Sequence, residues 1–205
     1  MTEAQQSAAA LAVTFGPAVL GQLESCGDTV VNVAAAQSHE ILAWLKDAPG
    51  QEFNYLTDVT AVDYRDPGQP LEVVYQIRSL GRKVDLRVKV PLDKSGSLEV
   101  DSVYDLWKGA DWLEREVFDL FGVTFNGHPD LRRILMWDTY AEGHPLRKDF
   151  PLRGHFSRSE QTRQALAANP EAHYSLEELS IAESFHDLPA DMRERLQAGE
   201  RGEVR

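Results

Sequence analysis

The clearest pattern in the sequence is a strict alternation of apolar and polar positions on either side of Gly81-Arg82. Apolar side chains occupy every second position from Leu71 to Ile77 and again from Val84 to Val90, mostly with polar or charged residues between them. A period of two places the apolar residues on one face of a β-strand. The pattern therefore predicts an antiparallel hairpin with one buried face and one face in water.

Weaker patterns in the first half of the sequence predict the other elements of an α/β domain. Together with the hairpin they indicate an α+β two-layer fold, with a mixed, largely antiparallel sheet and helices packed on one face. The predicted elements are a helix within Ala8 to Ser25 that Gly16-Pro17 weakens, a strand at Thr29–Val33, a helix that Ser38 caps and Pro49-Gly50 ends, and a short strand within Leu98 to Trp107 followed by the start of a helix near Asp101-Ser102. A second apolar segment runs from Leu56 to Tyr64.

The sequence divides into three parts by its character. Residues 1–125 hold the α/β pattern, and residues 126–153 form a Gly-, Pro- and Arg-rich interface segment that we expect to pack on it. Residues 154–205 have no strand pattern and carry 10 acidic and 6 basic side chains. We expect this last part to be an extended C-terminal arm, helical or partly disordered, that becomes ordered on a partner.

Residues 111–122 are typical of one short helix with an unusual carboxylate. Asp111 and Glu114 have the spacing of a capping box, and Gly122 is a natural C-cap. Glu114, however, projects from within the apolar arc, so it either caps the helix and reaches solvent or is buried and needs a cation. Asp119 lies one turn after Arg115, which also allows an intrahelical pair. The cations available downstream are Arg132, Arg133, Arg147 and Lys148.

The segment that follows contains the triplet Gly-His-Pro twice, at residues 127–129 and 143–145. Each proline favours extended geometry at the histidine before it. Residues 126–153 carry five basic and four acidic side chains, whereas residues 1–125 carry 10 basic and 19 acidic ones. Arginines on a rigid, locally cationic loop suit bidentate recognition of carboxylates, on this chain or on another.

Composition removes several function classes. The net charge of −12 argues against a protein that coats nucleic acid, and the single cysteine excludes a disulfide framework or an iron–sulfur cluster held by this chain alone. No P-loop, Gly-x-Gly-x-x-Gly or Gly-x-Ser-x-Gly motif is present. No apolar stretch approaches the ~20 residues of a membrane span, and no signal peptide is visible. We therefore expect a soluble, cytoplasmic chain without catalytic residues of its own.

Three blocks in fixed order give a specific resemblance. They are Trp112-Leu-Glu-Arg-Glu-Val-Phe-Asp-Leu-Phe-Gly122, Gly127-His-Pro-Asp-Leu-Arg-Arg-Ile-Leu135 and Gly143-His-Pro-Leu-Arg-Lys-Asp-Phe-Pro151. The sequence from about residue 30 to 151, including Val62-Asp-Tyr64, resembles the 30 kDa subunit family of proton-pumping NADH–quinone oxidoreductase (respiratory complex I), also known as its C subunit. Three ordered blocks are a far stronger signal than one motif.

The resemblance implies a structural subunit that binds no cofactor itself. Flavin mononucleotide (FMN), iron–sulfur clusters, NADH and quinone would lie on other subunits of the complex. The implied partners are the quinone-site (49 kDa-type) subunit and neighbouring iron–sulfur subunits, in a peripheral arm on the cytoplasmic side of the plasma membrane, with no nucleic acid and no membrane span. The signature or interface residues implied are Trp112, Glu114, Arg115, Glu116, Asp119, Phe121, Gly122, Gly127, His128, Pro129, Asp130, Arg132, Arg133, Gly143, His144, Pro145, Arg147, Lys148 and Asp149.

Three alternatives stay open at this point. The first is the equivalent subunit of a membrane-bound hydrogenase or of an F420- or ferredoxin-linked dehydrogenase. The second is an RNA- or membrane-surface module that uses the downstream basic residues, which the overall charge disfavours. The third is a stand-alone metal-dependent enzyme, for which the candidate ligands are His128, Asp130, His144 and Asp149.

Overall fold

A computed structural model of the chain describes residues 1–168, apart from residues 67, 138 and 153. The chain divides into two compact units, Met1–His155 and Phe156–Arg205. The second unit is described only over its first part, which contains the helix Arg158–Ala168. The rest of the predicted C-terminal arm lies outside the described residues. The three-part division of the chain stays a prediction.

The first unit is an α+β domain, as predicted. Its sheet has the strand order β1-β2-β5-β4-β3, antiparallel throughout except for the parallel pair β2–β5, and β6 and β7 form a separate parallel pair. Its elements are α1 (Glu3–Phe15), β1 (Val19–Ser25), β2 (Asp28–Val33), α2 (Ser38–Asp47), β3 (Tyr55–Val62), β4 (Leu71–Ser79), β5 (Val84–Leu92), β6 (Glu99–Asp101), α3 (Ala110–Phe121) and β7 (Thr124–Asn126), with 3₁₀ turns at Gly16–Ala18 and Ala35–Gln37.

The hairpin predicted from the alternating pattern is confirmed as β4 and β5. The two strands pair in register from Leu71 opposite Leu92 to Ser79 opposite Val84. One face of this pair is fully buried, and the other carries the half-buried charged and polar side chains. The helices therefore cover one face of the sheet, which explains why a period of two was so clear in the sequence.

Three local predictions are wrong in detail. The helix expected within Ala8 to Ser25 ends at Phe15, because Gly16 has φ +51° and Pro17 cannot continue a helix, and the remainder forms the edge strand β1. Ser38 is the first residue of α2 and does not cap it, since its hydroxyl donates to the Ala35 carbonyl. No helix starts near Asp101-Ser102; α3 begins only at Ala110.

Candidate functional site

Helix α3 is the element around which the three signature blocks are arranged. It covers Ala110–Phe121 and ends at Gly122, whose φ of +79° confirms the predicted left-handed C-cap. The predicted capping box is wrong, because the N-cap residue is Gly109 and no side chain caps this helix end. Asp111 and Glu114 are therefore free for contacts with other parts of the fold.

Glu114 is completely buried, so the burial assumed in the second of its two interpretations is confirmed. Its carboxylate accepts a hydrogen bond of 2.6 Å from the Ser102 hydroxyl and one of 2.7 Å from the Val103 N–H. The Ser102 hydroxyl is itself held by the Tyr104 N–H at 3.2 Å. These contacts tie α3 to the turn after β6.

The three arginines and one lysine downstream, which were the cations expected beside Glu114, do not hold its carboxylate. The nearest basic group is His128, whose Nε2 lies 4.0 Å from the carboxylate. The Asp130 N–H donates to His128 Nδ1, and Nε2 also lies 3.3 Å from the carboxylate of Asp111. Burial is the largest influence on Glu114 and raises its pKa above the ordinary value, against the hydrogen bonds from Ser102 and Val103.

Asp119 is also completely buried, but its partners are of a different kind. The Arg133 guanidinium donates to Oδ1 at 2.6 Å. Oδ2 accepts three backbone N–H bonds of 2.8 to 3.1 Å, from residues 134–136. Burial alone would raise the pKa of Asp119, but the Met136 N–H, Arg133 and the two other N–H groups outweigh it and hold the pKa below its ordinary value.

Arg115 does not pair with Asp119, so the predicted intrahelical pair is wrong. The Arg115 guanidinium donates instead to the carbonyl oxygens of Arg132 and Arg133, each at 3.1 Å. Arg115 and Asp119 thus hold two successive parts of one loop, residues 132–136, against α3. A single ion pair on the helix surface could not position that loop.

The two Gly-His-Pro triplets place one histidine at each end of α3. His128 Nε2–H donates to the carbonyl of Asp111, in the first turn, at 3.1 Å. His144 Nδ1–H donates to the carbonyl of Asp119, in the last turns, at 2.9 Å, and the Leu146 N–H donates to that of Leu120 at 3.0 Å. The block Gly143–Pro151 therefore supplies donors to carbonyl groups that a helix end leaves unsatisfied.

Gly122 matters for a second reason beside its left-handed backbone. A Cβ atom at this position would lie 2.6 Å from the imidazole ring of His144. Arg133 also donates to the carbonyl of Gly143 at 3.1 Å, which links the first downstream block to the second. The end of α3, the first block and the second block thus form one packed cluster.

The last signature block is fixed to the sheet by a residue that we did not predict. Asp63, just after β3, accepts the Lys148 backbone N–H at 2.7 Å and pairs with Lys94 at 2.6 Å. Burial would raise the pKa of Asp63, but the Lys94 hydrogen bond, the Lys148 N–H and the positive charge of Arg147 leave it lowered. Nothing in the spacing of Asp63, Lys94 or Ser102 indicated these long-range contacts, although Asp63 lies in the Val62-Asp-Tyr64 stretch of the resemblance.

The four candidate metal ligands are not brought together. His128 and His144 lie against the two ends of α3, and the carbonyls that they contact are eight residues apart, or about 12 Å along the helix. Asp130 pairs with Arg132 at 2.8 Å, and Asp149 pairs with Arg147 at 3.2 Å. Among the described residues no group of three or more potential ligands could hold a metal ion.

The remaining signature side chains differ in exposure. Phe121 belongs to the core, whereas Trp112 is 68% exposed and Glu116 also faces solvent. Gly127 and Gly143 have φ values of +81° and +117°, which explains glycine at the start of each triplet. Over the part of the chain that the structure describes, no helix is long and apolar enough to cross a bilayer.

The chain is an α+β domain in which two Gly-His-Pro blocks pack against the preceding helix. Comparison with known proteins identifies the family to which this domain belongs. The family model described as "Respiratory-chain NADH dehydrogenase, 30 Kd subunit" matches residues 31–156. The chain belongs to this family, so the resemblance seen in the three blocks is confirmed.

Similar proteins from several bacteria agree with this assignment. The C subunit of NADH-quinone oxidoreductase from Geobacter metallireducens is 45% identical over 155 residues, which cover 75% of this chain and 93% of the relative. Its counterpart from Citrifermentans bemidjiense is 43% identical over 154 residues, with the same coverage of both chains. That of Caulobacter vibrioides is 41% identical over 155 residues, covering 76% of this chain and 77% of the relative.

Two solved structures have the same fold. A trypsin-resistant fragment of Nqo5 is 29% identical with a TM-score of 0.53, and the match covers 63% of this chain and all of the fragment. A chain of the membrane-bound sulfane sulfur reductase, an archaeal respiratory membrane complex, has a TM-score of 0.60 at 21% identity, over 80% of this chain and 91% of that one. The second likeness concerns the fold alone.

Proposed function

We propose that this chain is a structural subunit of the peripheral arm of a proton-pumping NADH–quinone oxidoreductase. Its family membership supports the subunit role, and the arrangement around α3 supports the structural one. The observation that carries the proposal is the use of the signature charges: Glu114, Asp119, Arg115 and Arg133 all hold loops to α3. These four charged residues, whose types alone would suggest a binding or catalytic site, instead fix the loops and make the surface around α3 rigid.

In this proposal the chain supports electron transfer by holding other subunits at fixed separation. The quinone-site subunit and the neighbouring iron–sulfur subunits would be its partners, on the cytoplasmic side of the membrane. FMN, the iron–sulfur clusters, NADH and quinone would be bound by those other subunits. The exposed side chains of Trp112 and Glu116 would face the partners, since they lie outside the internal contacts just described.

The alternative of a hydrogenase-type or F420-linked complex has less support. The sulfane sulfur reductase chain shares the fold at 21% identity, whereas the relatives at 41 to 45% identity all carry the name of the NADH-quinone oxidoreductase C subunit. The proposal of a metal-dependent enzyme has no supporting geometry, because its four residues are dispersed around α3.

The test is an assembly measurement with Glu114→Ala in the native membrane. We expect less assembled complex but unchanged turnover per assembled complex, because the change loosens α3 and touches no reacting group. Glu40→Ala is the matched control, since Glu40 is an exposed helical glutamate on α2. Normal amounts of complex with slow turnover in Glu114→Ala would contradict the proposal.

A further inference from the structure

A basic groove lies where the end of β3 meets the second Gly-His-Pro block. We define the basic groove by Arg65, Arg147 and Lys148, which line two adjoining depressions of 270 and 700 Å³. Both depressions belong to the first unit of the chain. Among the described residues, the internal contacts around α3 leave this surface open.

The backbone that carries the basic groove is fixed. On one side of Arg147 the Leu146 N–H donates to the Leu120 carbonyl, and on the other the Lys148 N–H donates to Asp63. Asp63 is almost completely buried and also holds Lys94. A rigid backbone presents the cationic side chains at little entropic cost to a binding partner.

Two of the three cations of the basic groove, Arg65 and Lys148, are exposed and are not neutralised by the described part of the fold. Within the described residues, the side chains of Arg65 and Lys148 form no ion pair and no hydrogen bond. Arg147 differs from these two, because its side chain is only 22% exposed, it pairs with the exposed Asp149, and its charge also acts on Asp63. In a chain with a net charge of −12, the exposed cations Arg65 and Lys148 indicate a binding site for carboxylates.

The wall of the larger depression is apolar as well as basic. Leu146 is 47% exposed and Leu152 fully exposed, and Pro145, Phe150 and Pro151 also line the depression. A ligand that satisfies both features carries carboxylates next to apolar side chains. An extended or helical protein segment has that composition, whereas a free anion would leave the leucines in water.

A membrane surface fits these observations less well. Binding to anionic lipid typically uses clusters of about four to eight basic residues, and the overall negative charge would oppose the approach. The groove is also concave, which suits an inserted segment better than a flat bilayer.

We infer that the basic groove binds an acidic segment of a neighbouring subunit, with carboxylates on Arg65 and Lys148 and apolar side chains on Leu146 and Leu152. This inference rests on the proposed function, since the neighbouring subunit is taken from the same complex. It adds the location and the chemistry of one contact.

Zero-length carbodiimide cross-linking of the intact complex tests the contact directly. The reagent joins a lysine amine to a carboxylate only where the two groups touch. We expect Lys148 to be joined to an Asp or Glu of another subunit of the complex. Lys83 is the matched control, because it is an exposed lysine at the opposite end of the β4–β5 hairpin, and it should remain unlinked. Links from Lys148 only within this chain would overturn the inference.

Charge reversal gives the second test. Arg65→Glu with Lys148→Glu should reduce retention of the chain in the complex about tenfold, because like charges then face each other. The stability of the isolated chain should not change, since neither side chain has a partner among the described residues. Lys83→Glu should retain normal assembly. Equal retention of all variants, equal loss in Lys83→Glu, or binding of the chain to vesicles of anionic phosphatidylglycerol through these residues would each overturn the inference.

The two proposals fail in different ways. If the wild-type chain is purified from its native membrane without flavin- and iron-bearing polypeptides, the proposed function fails and the inference falls with it. If the wild-type chain brings those polypeptides with it but Lys148 stays unlinked and charge reversal has no effect, only the inference about the basic groove fails.

Discussion

The two ends of helix α3 each hold a completely buried carboxylate, and they do so by opposite means. Glu114, near the start, is held by two neutral donors, with His128 4.0 Å away. Asp119, near the end, is held by a guanidinium and three backbone N–H groups. Burial opposes ionisation at both sites, but only the Asp119 site supplies enough compensation to lower the pKa.

This difference assigns different tasks to the two ends. The Glu114 end joins α3 to the turn after β6, so it belongs to the packing of the domain. The Asp119 end fixes a long loop without regular structure, and it does so with a charge pair and a ring of N–H donors. A loop that must present a fixed surface needs stronger anchors than a turn that the core already holds.

The largest effect is expected from Asp119→Ala. The change leaves Arg133 and three N–H groups without their acceptor, and breaking a buried pair in this way costs about 3 to 5 kcal/mol. The measurement is urea denaturation of the full chain at neutral pH. Glu116→Ala, which alters an exposed carboxylate of the same helix, is the control and should be close to wild type. A loss in Asp119→Ala no larger than that of the control would show that the loop holds itself.

The second prediction concerns the pH dependence of the two sites, which should have opposite signs. The folded-state pKa of Glu114 is raised above the ordinary 4.5, so its contribution is full below 4.5 and falls as pH rises through the folded value. The folded-state pKa of Asp119 is lowered below 3.8, so its contribution is full above 3.8 and falls as pH decreases through the folded value.

Glu114→Gln and Asp119→Asn measure this difference. In urea denaturation at a series of pH values, the destabilisation by Glu114→Gln should be greatest at acid pH and shrink toward neutral pH. That of Asp119→Asn should be greatest at neutral pH and shrink toward acid pH. Because the charged form of Glu114 is already disfavoured, we expect Glu114→Gln to cost less than about 3 kcal/mol at neutral pH. Parallel curves for the two variants would refute the contrast.

A smaller effect is expected from Arg115, which connects the two regions. Arg115→Ala removes hydrogen bonds to the carbonyls of Arg132 and Arg133, and such bonds contribute about 0.5 to 1.5 kcal/mol each. Arg115→Lys should recover part of the loss, because an ammonium group cannot reach both carbonyls as the guanidinium fork does. Denaturation of both variants checks the order. A loss from Arg115→Ala as large as that from Asp119→Ala would mean that Arg115 is the main anchor of the loop.

The sequence was sufficient for the parts of this comparison that depend on neighbouring residues. The period of two predicted β4 and β5, and the helical arc with Gly122 predicted α3. Glu114 lies within the apolar arc of the helix, and this position indicated burial as one of two possibilities for its side chain. These signals come from residues within one element, and they survive folding because they concern which face is buried.

The partners of the buried carboxylates could not be predicted in the same way. Ser102 and Asp63 contact residues 12 and 85 positions away, and those distances are set by how the sheet and loops pack. The predicted Arg115–Asp119 pair does not form, because an exposed helical pair stabilises a helix by only about 0.2 to 0.5 kcal/mol. Four hydrogen bonds to one buried carboxylate outweigh it. The predicted capping box is wrong because the Glu114 carboxylate accepts hydrogen bonds from Ser102 and Val103, in the turn after β6.

The smallest effect is expected from Arg132, which lies in the same loop as Arg133. Its side chain is 64% exposed and pairs with the exposed Asp130, and surface pairs of this kind add little to stability. Arg115 binds the backbone carbonyl of Arg132, so truncation of the Arg132 side chain should leave this anchor of the loop in place. We therefore expect denaturation of Arg132→Ala to match the wild type, while Arg133→Ala loses most of what Asp119→Ala loses. If Arg132→Ala instead reduces assembly without reducing stability, the exposed side of the loop is a contact surface. Two adjacent residues would then have different tasks, with Arg133 anchoring the loop to α3 and Arg132 contacting a partner.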